Sequence, residues 1–267
     1  LELCYSAEKA GYKAVAHKDH NYGSAAMADM IKKHFFADSP LQIFGSFAMN
    51  QTVGGMSAAV LENQLNFGAR AVWFPTSSAK NHVEFTSKHV GFPKTIKKTH
   101  VVPETIVLTD ENGRLTPEAD KAMEILADYP NVVIGSGHGA PSEIDALVDK
   151  AVELGIQDRF FADHPYAIID ASLEKIKEWA DKGVVVEMVA GMTFEEDCPF
   201  PMPVMKEYIE YIGVERCILV SDLGQKKRGN PVEAFGNFLL RLYNAGVPED
   251  AIHYMTSEHP AKMLGLE

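Results

Sequence analysis

NVVIGSGHGAPSEIDALVDKAVELGIQDRFFADHP, residues 131–165, is the stretch whose reading decides the fold. A β-branched run, Asn131–Ser136, passes through Gly137-His138-Gly139 into Pro141-Ser142-Glu143. Proline at the first helical position and an acid in the first turn start a helix there. Apolar residues at helical spacing carry it over Ser142–Leu154, and Gly155 stops it. A second apolar run, Arg159–Ala162, then leads into Asp163-His164-Pro165. Strand, helix and strand in this order make two parallel strands joined by a right-handed crossover.

The same alternation extends in both directions. Upstream, strands are predicted at Lys13–His17, Gln42–Met49 and Arg70–Pro75; downstream, at Val184–Val189 and Cys217–Ser221. Helices are predicted at Leu1–Ala10, Ser24–Phe36, Ser57–Phe67, Pro117–Ala127, Leu173–Lys182 and Pro203–Ile212. Thr116-Pro117 supplies another start signal, and Gly68, Gly183 and Gly213 supply stops. The long connection 77–116 is read as an insertion after the third strand. Within it Asp110-Glu111-Asn112-Gly113 is a hairpin turn signal flanked by Thr105–Leu108 and Arg114-Leu115.

Seven strand–helix units favour a (β/α)8 TIM-like barrel over a doubly wound open sheet. A barrel of this type takes roughly 250 residues, and the chain has 267. Polar residues follow most of the strands instead of gathering at one switch point, and no GxGxxG follows any strand. The chain begins at Leu1, in what reads as the middle of a helix. The expectation is that an eighth strand precedes it in the gene product.

Composition narrows the function classes. The net charge of −12 argues against nucleic acid and against anionic membranes as partners. No apolar run reaches the roughly 18–20 residues of a membrane span, and no signal peptide is visible. Cys4, Cys198 and Cys217 have no CxxC spacing, so neither a disulfide framework nor a zinc ribbon is expected. A cytoplasmic setting, a small-molecule substrate and a chain free to form a homo-oligomer are the simplest expectations.

Barrel enzymes place their chemistry at the C-terminal ends of the strands. The residues found there are Lys18, Asp19 and His20; Asn50; Thr76 and Ser77; His138; Asp163 and His164; and Asp222. Alternation along a strand puts His138 in phase with Ser136 and Ile134, His164 with Ala162 and Phe160, and Asp222 with Val220 and Ile218. These are taken as the inward faces. For Glu187, within the sixth run, parity leaves a place in the mouth and a place in the wall both open. Each residue alone has a plain structural reading, such as a core histidine or, for Asp222, a helix cap. Their shared position at strand ends points to one site. Imidazoles and a carboxylate suit Zn²⁺ or a similar ion. His138, His164 and Asp222 are the candidate ligands, with His20 beside them, and Asp222 is also the candidate for proton transfer. Lys18, Asn50 and Thr76 are candidates for binding substrate. His82, His89 and His100 match no metal spacing and are read as loop residues, His82 being the nearest to the mouth.

Ser136-Gly137-His138, Asp163-His164-Pro165, Ser221-Asp222 and the run Ser257–Leu266 resemble the amidohydrolase superfamily of metal-dependent hydrolases. The resemblance spans most of the chain and rests more on the order of the motifs than on any one of them. It implies a TIM barrel in which the fifth and sixth strands supply metal-binding histidines, here His138 and His164, and the eighth an aspartate, here Asp222. Three departures stand out. No His-x-His precedes Lys13, Thr76 stands where a bridging Lys or Glu is usual, and His259 replaces an Asn in the closing run. The implied activity is hydrolysis of an amide, cyclic amide, lactone or ester with a divalent metal, zinc foremost and manganese or iron as alternatives. A decarboxylase, a phosphoesterase and a catalytically silent ligand-binding barrel are the competing readings.

Overall fold

The computed structural model describes residues 1–88, 104–193, 200–225 and 228–266. Seven parallel strands lie side by side in chain order: β1 (Ala14–His17), β2 (Gln42–Ala48), β3 (Ala69–Trp73), β4 (Val133–Gly135), β5 (Phe160–Ala162), β6 (Val185–Val189) and β7 (Cys217–Val220). The predicted strands match these to within about two residues, the usual uncertainty of an element's ends. Helices α1 (Glu2–Lys9), α2 (Ala25–Phe35), α3 (Ala58–Asn66), α4 (Lys80–Lys88), α5 (Pro117–Ala127), α6 (Pro141–Glu153), α7 (Leu173–Asp181), α8 (Met202–Ile212) and α9 (Pro231–Asn244) lie between and after them. Two short helices, α10 (Glu249–His253) and α11 (His259–Leu264), complete the chain.

The curled parallel sheet with helices between its strands is the TIM-like barrel expected. Among the described residues no ladder joins β7 back to β1. Side chains bridge the two ends instead: Lys18 Nζ, after β1, stands 3.9 Å from Asp222 Oδ1, after β7. Outside the sheet, Asn230 Nδ2 donates to Ser6 Oγ at 2.8 Å, tying the start of α9 to α1. No helix among the described residues is long and apolar enough to cross a membrane.

Three helices escape the sequence reading. The helices α9 and α10 follow the last predicted strand. The helix α4 lies inside the insertion read as loop and hairpin, and its sequence, KNHVEFTSK, is too polar for helical periodicity to stand out. Tertiary anchoring holds α4 in place. Asn81 Nδ2 donates to the backbone carbonyls of His138 at 3.2 Å and Ile168 at 3.1 Å. The hairpin turn forms, with Asp110 Oδ1 accepting from the backbone N–H groups of Asn112 and Arg114. Its ladder is a single antiparallel bridge, Thr109 with Leu115, and Ile106 pairs in parallel with Ala79 instead.

Apolar residues divide into two layers. Ile134, Phe160, Ala162, Val186 and Leu219 pack outward against Met123, Leu126, Leu147, Val148 and Trp179 of the helices. Ala48, Ala71, Trp73, Val133, Phe161, Val185 and Ile218 fill the barrel interior, with Met263 of α11 packed against them. This corrects the parity argument for two strands. The faces holding Ile134, Phe160 and Ala162 look toward the helices, and only the Ile218–Val220 face of β7 looks inward as expected. The interior carries one constraint that decides a residue type. A Cβ on Gly135 would stand 2.4 Å from the Trp73 ring, so glycine makes room for the indole.

Candidate metal centre

If Ile134 and Ala162 face outward, strict alternation would send His138 and His164 outward too. Both strands end first. After β4, Gly137 takes φ +66°, and His138 N–H donates to the Pro75 carbonyl at 2.9 Å. A Cβ at Gly137 would lie 2.4 Å from the carbonyl oxygens of both Phe74 and Pro75. Glycine is therefore required there, and the reversal it permits turns His138 inward. After β5, Asp163 continues the inward phase of Phe161. His164 then adopts φ +36°, unusual for a residue with a side chain. That turn brings two consecutive side chains into one site, which alternation forbids within a strand.

The outcome is a cluster of His138, Asp163 and His164, each at most 2% exposed, whose nearest ligand-type atoms all lie within 4.8 Å of one another. His138 Nε2 stands 3.3 Å from Asp163 Oδ2 without forming a hydrogen bond. Two ligands of a tetrahedral zinc ion, each about 2.0–2.1 Å from the metal, lie about 3.3–3.4 Å apart. Six buried side-chain nitrogen or oxygen atoms among the described residues lack a hydrogen-bond partner, and His138 Nε2, Asp163 Oδ2 and His164 Nδ1 are three of them. Leaving such atoms unpaired costs about 1–3 kcal/mol each, more for a charged group. Each of the three residues brings a ligand-type atom to the cluster and carries a buried atom without a hydrogen-bond partner, a donor set that fits a divalent cation.

Around the cluster stand the other predicted residues. His20 Nδ1 is 2.7 Å from Thr76 Oγ1, and its ring is 6.3 Å from that of His138. Asn50 and Thr76 are fully buried and occupied with internal bonds. Asn50 Nδ2 donates to the His20 carbonyl and to Thr76 Oγ1, while its Oδ1 accepts from the backbone of Thr76 and Ser78. Through these bonds Asn50 and Thr76 hold His20 in place. Asp222, at φ +42°, stands outside the cluster and faces Lys18. Lys18 Nζ also lies 5.3 Å from the centre of the Trp73 ring, within cation–π range.

Three participants were not singled out as site residues by the sequence. Asp163 sat beside His164 at a position that parity set against it. Glu187 proves to be in the mouth, in phase with Val185 and 6% exposed. His82, on α4, places Nδ1 2.7 Å from His138 Nδ1. His89, His100 and Cys198 lie outside the described residues.

The electrostatics follow from burial and crowding. Burial holds His138 well below the usual imidazole range, against the pull of Asp163. Burial, with the Lys18 charge adding to it, brings His20 down to about 4. Burial, with His20 and His164 adding to it, does the same for His82. Burial alone would raise Asp163, but His164, Lys18 and His138 outweigh it and hold the carboxyl well below its ordinary value. Glu187 moves the other way, pushed well above the carboxylate range by burial and then by Asp163. Lys18 is held as the ammonium, Asp222, Asp163 and Glu187 overcoming the effect of burial. For His138 and Asp163, a neutral imidazole beside an ionised carboxylate is the protonation state a metal requires.

Residues 1–187 match the model of a family described as of unknown function, DUF6282. The chain belongs to that family. No curated protein matches the sequence. Among solved structures, this DUF6282 member is similar in fold to an organophosphate-hydrolysing protein engineered from a weak promiscuous lactonase template (TM-score 0.60, 14% identity, covering 99% of this chain and 85% of that one). It is similar as well to the organophosphorus hydrolase of Deinococcus radiodurans (TM-score 0.59, 12% identity, 99% and 82%). A TatD-family hydrolase of Entamoeba histolytica is a third (TM-score 0.59, 11% identity, 100% and 89%). At these identities the likeness is one of fold, and it agrees with the barrel that the amidohydrolase resemblance implied.

Proposed function

We propose that this chain is a metal-dependent hydrolase of small-molecule amides, cyclic amides, lactones or esters. The observation that carries the reading is the buried cluster of His138, Asp163 and His164 at the C-terminal end of a parallel barrel, its ligand-type atoms within 4.8 Å of one another and each residue holding an atom without a hydrogen-bond partner. The barrel's similarity to hydrolases supports it. His138, Asp163 and His164 would hold the metal, and zinc suits two nitrogens and one oxygen best. The chemistry such an ion supplies is Lewis acidity and a lowered pKa for water, from about 15.7 to about 7.

The remaining steps belong to the chain's own groups. Asp222, partly exposed at the rim, accepts a proton at a carboxylate oxygen and returns it to the leaving group. Lys18, 3.9 Å from it, presents an ammonium to a substrate anion or to negative charge developing on a carbonyl oxygen. His20, held by Asn50 and Thr76, closes one side of the mouth.

The test is turnover of a panel of lactones, amides and esters by the zinc-loaded chain, with and without Asp222→Asn. The variant should lose about 10²–10⁴-fold in kcat while its folding and zinc content stay unchanged. Full activity in the variant would remove Asp222 from the mechanism. A panel left untouched by a metal-loaded chain would reject the hydrolase reading.

A further inference from the structure

The histidine on the insertion helix has a geometry of its own. His82 Nδ1 and His138 Nδ1 are 2.7 Å apart, and the two ring planes lie within 10° of each other. Ring lone pairs and N–H bonds lie in the ring plane, so this is an in-plane hydrogen bond between imidazoles and not a face-to-face stack. The separation is also shorter than the roughly 3.3 Å between two ligands of one tetrahedral zinc ion. The contact is made on the Nδ1 side of His138, while Asp163 faces its Nε2. One proton lies between the two Nδ1 atoms. If His138 carries it, Nε2 has a free lone pair toward Asp163. If His82 carries it, neutral His138 must hold its own proton at Nε2, and the lone pair is lost.

We infer that His82 is a positioning residue for the metal centre: it accepts the Nδ1–H of His138 and so holds that ring in the tautomer whose Nε2 can bind a cation. The inference rests on the metal-centre reading above. Metal-bound histidines generally donate their second ring N–H to a carboxylate, a carbonyl or water. Here an imidazole from the insertion stands in that place. The mounting is rigid where it matters, because Asn81, the preceding residue, clamps the first turn of α4 to the carbonyls of His138 and Ile168. Orientation of a metal-binding ring is thereby delegated to a segment outside the barrel strands, and docking of α4 and readiness of the site become one event.

Two measurements on the full chain test this. The first is affinity for Zn²⁺, by competition with a chromophoric chelator, in the wild type, His82→Leu and His82→Gln, with melting temperatures in parallel. Leucine removes the acceptor and should weaken binding about 10–100-fold, the usual effect of losing such a partner. Glutamine offers an acceptor oxygen and should recover part of that loss. The visible spectrum of bound Co²⁺ should keep the same coordination in all three. Equal affinity in His82→Leu and the wild type would overturn the inference, as would a Co²⁺ spectrum showing a lost ligand, which would make His82 a ligand itself. The second measurement needs neither metal nor variant. Long-range ¹H–¹⁵N spectra of the metal-free chain should show His138 protonated at Nδ1 and His82 at Nε2, and the reverse pattern would overturn the inference. A wild type that binds no metal would sink the metal-centre reading, and these spectra would still decide the role of His82.

Discussion

Replacing Asp163 by asparagine separates the ligand set that the structure assembles from the one the strand order suggested. The cluster contains His138, Asp163 and His164, whereas Asp222 is drawn to Lys18. An ion bound only by the folded state adds RT ln(1 + [L]/Kd), about 2.7 kcal/mol at a hundredfold excess over Kd. For a chain of this size each kcal/mol moves the melting temperature by roughly 2–4 °C, so zinc at that excess should raise the wild-type midpoint by about 5–11 °C. In Asp163→Asn the amide is a poor cation ligand, one of three donors is gone, and the rise should fall to about 2 °C or less. Asp222→Asn leaves the three donors in place and should keep most of the rise. Differential scanning calorimetry of the three proteins, each with and without zinc, reads the result. A full zinc shift in Asp163→Asn, or its loss in Asp222→Asn alone, would refute the assignment.

Two further predictions concern the scaffold. Gly137→Ala combines left-handed backbone strain with a Cβ driven to 2.4 Å from two carbonyl oxygens, whereas Gly155→Ala meets φ +69° with open space around it. Denaturant unfolding should show a loss of about 1 kcal/mol at Gly155 and about 2–4 kcal/mol at Gly137; equal losses would mean that the close approach to Phe74 and Pro75 is unimportant. His259 is buried, with Nδ1 3.0 Å from the Cys217 carbonyl, and burial lowers its pKa below the ordinary imidazole value of 6.5, with the Arg216 and Lys262 charges adding to this. Its contribution to stability is therefore complete above pH 6.5 and is lost as the pH falls from there toward the folded-state pKa. His259→Asn should flatten the stability profile below pH 6.5 relative to the wild type, the slope across that window falling by up to about 1.4 kcal/mol per tenfold change in proton concentration; identical slopes would contradict the sign.

Much of the architecture is legible in the sequence. Alternating apolar runs, Thr116-Pro117 and Pro141-Ser142-Glu143 as helix starts, and glycine stops are local signals, and they specify strand and helix order because propensity and capping act over a few residues. The same locality marks the mouth, since whatever follows a parallel strand must lie at one end of the barrel. His138, His164 and Asp222 are visible for that reason. Side-chain direction beyond the last paired residue is not local in this sense. Gly137 at φ +66° and His164 at φ +36° reverse the alternation, and at Gly137 the conformation is fixed by neighbours distant in sequence, the Phe74 and Pro75 carbonyls. Tertiary structure alone therefore decided that Asp163 joins the two histidines while Asp222 faces Lys18. It also decided that Asn50 and Thr76 bond to His20, and that a polar helix with no buried residue brings His82 against His138. A sequence dictates which groups arrive at the end of a strand. Which of them meet is a matter of angles, and those angles are set by packing and by hydrogen bonds between segments that no local pattern connects.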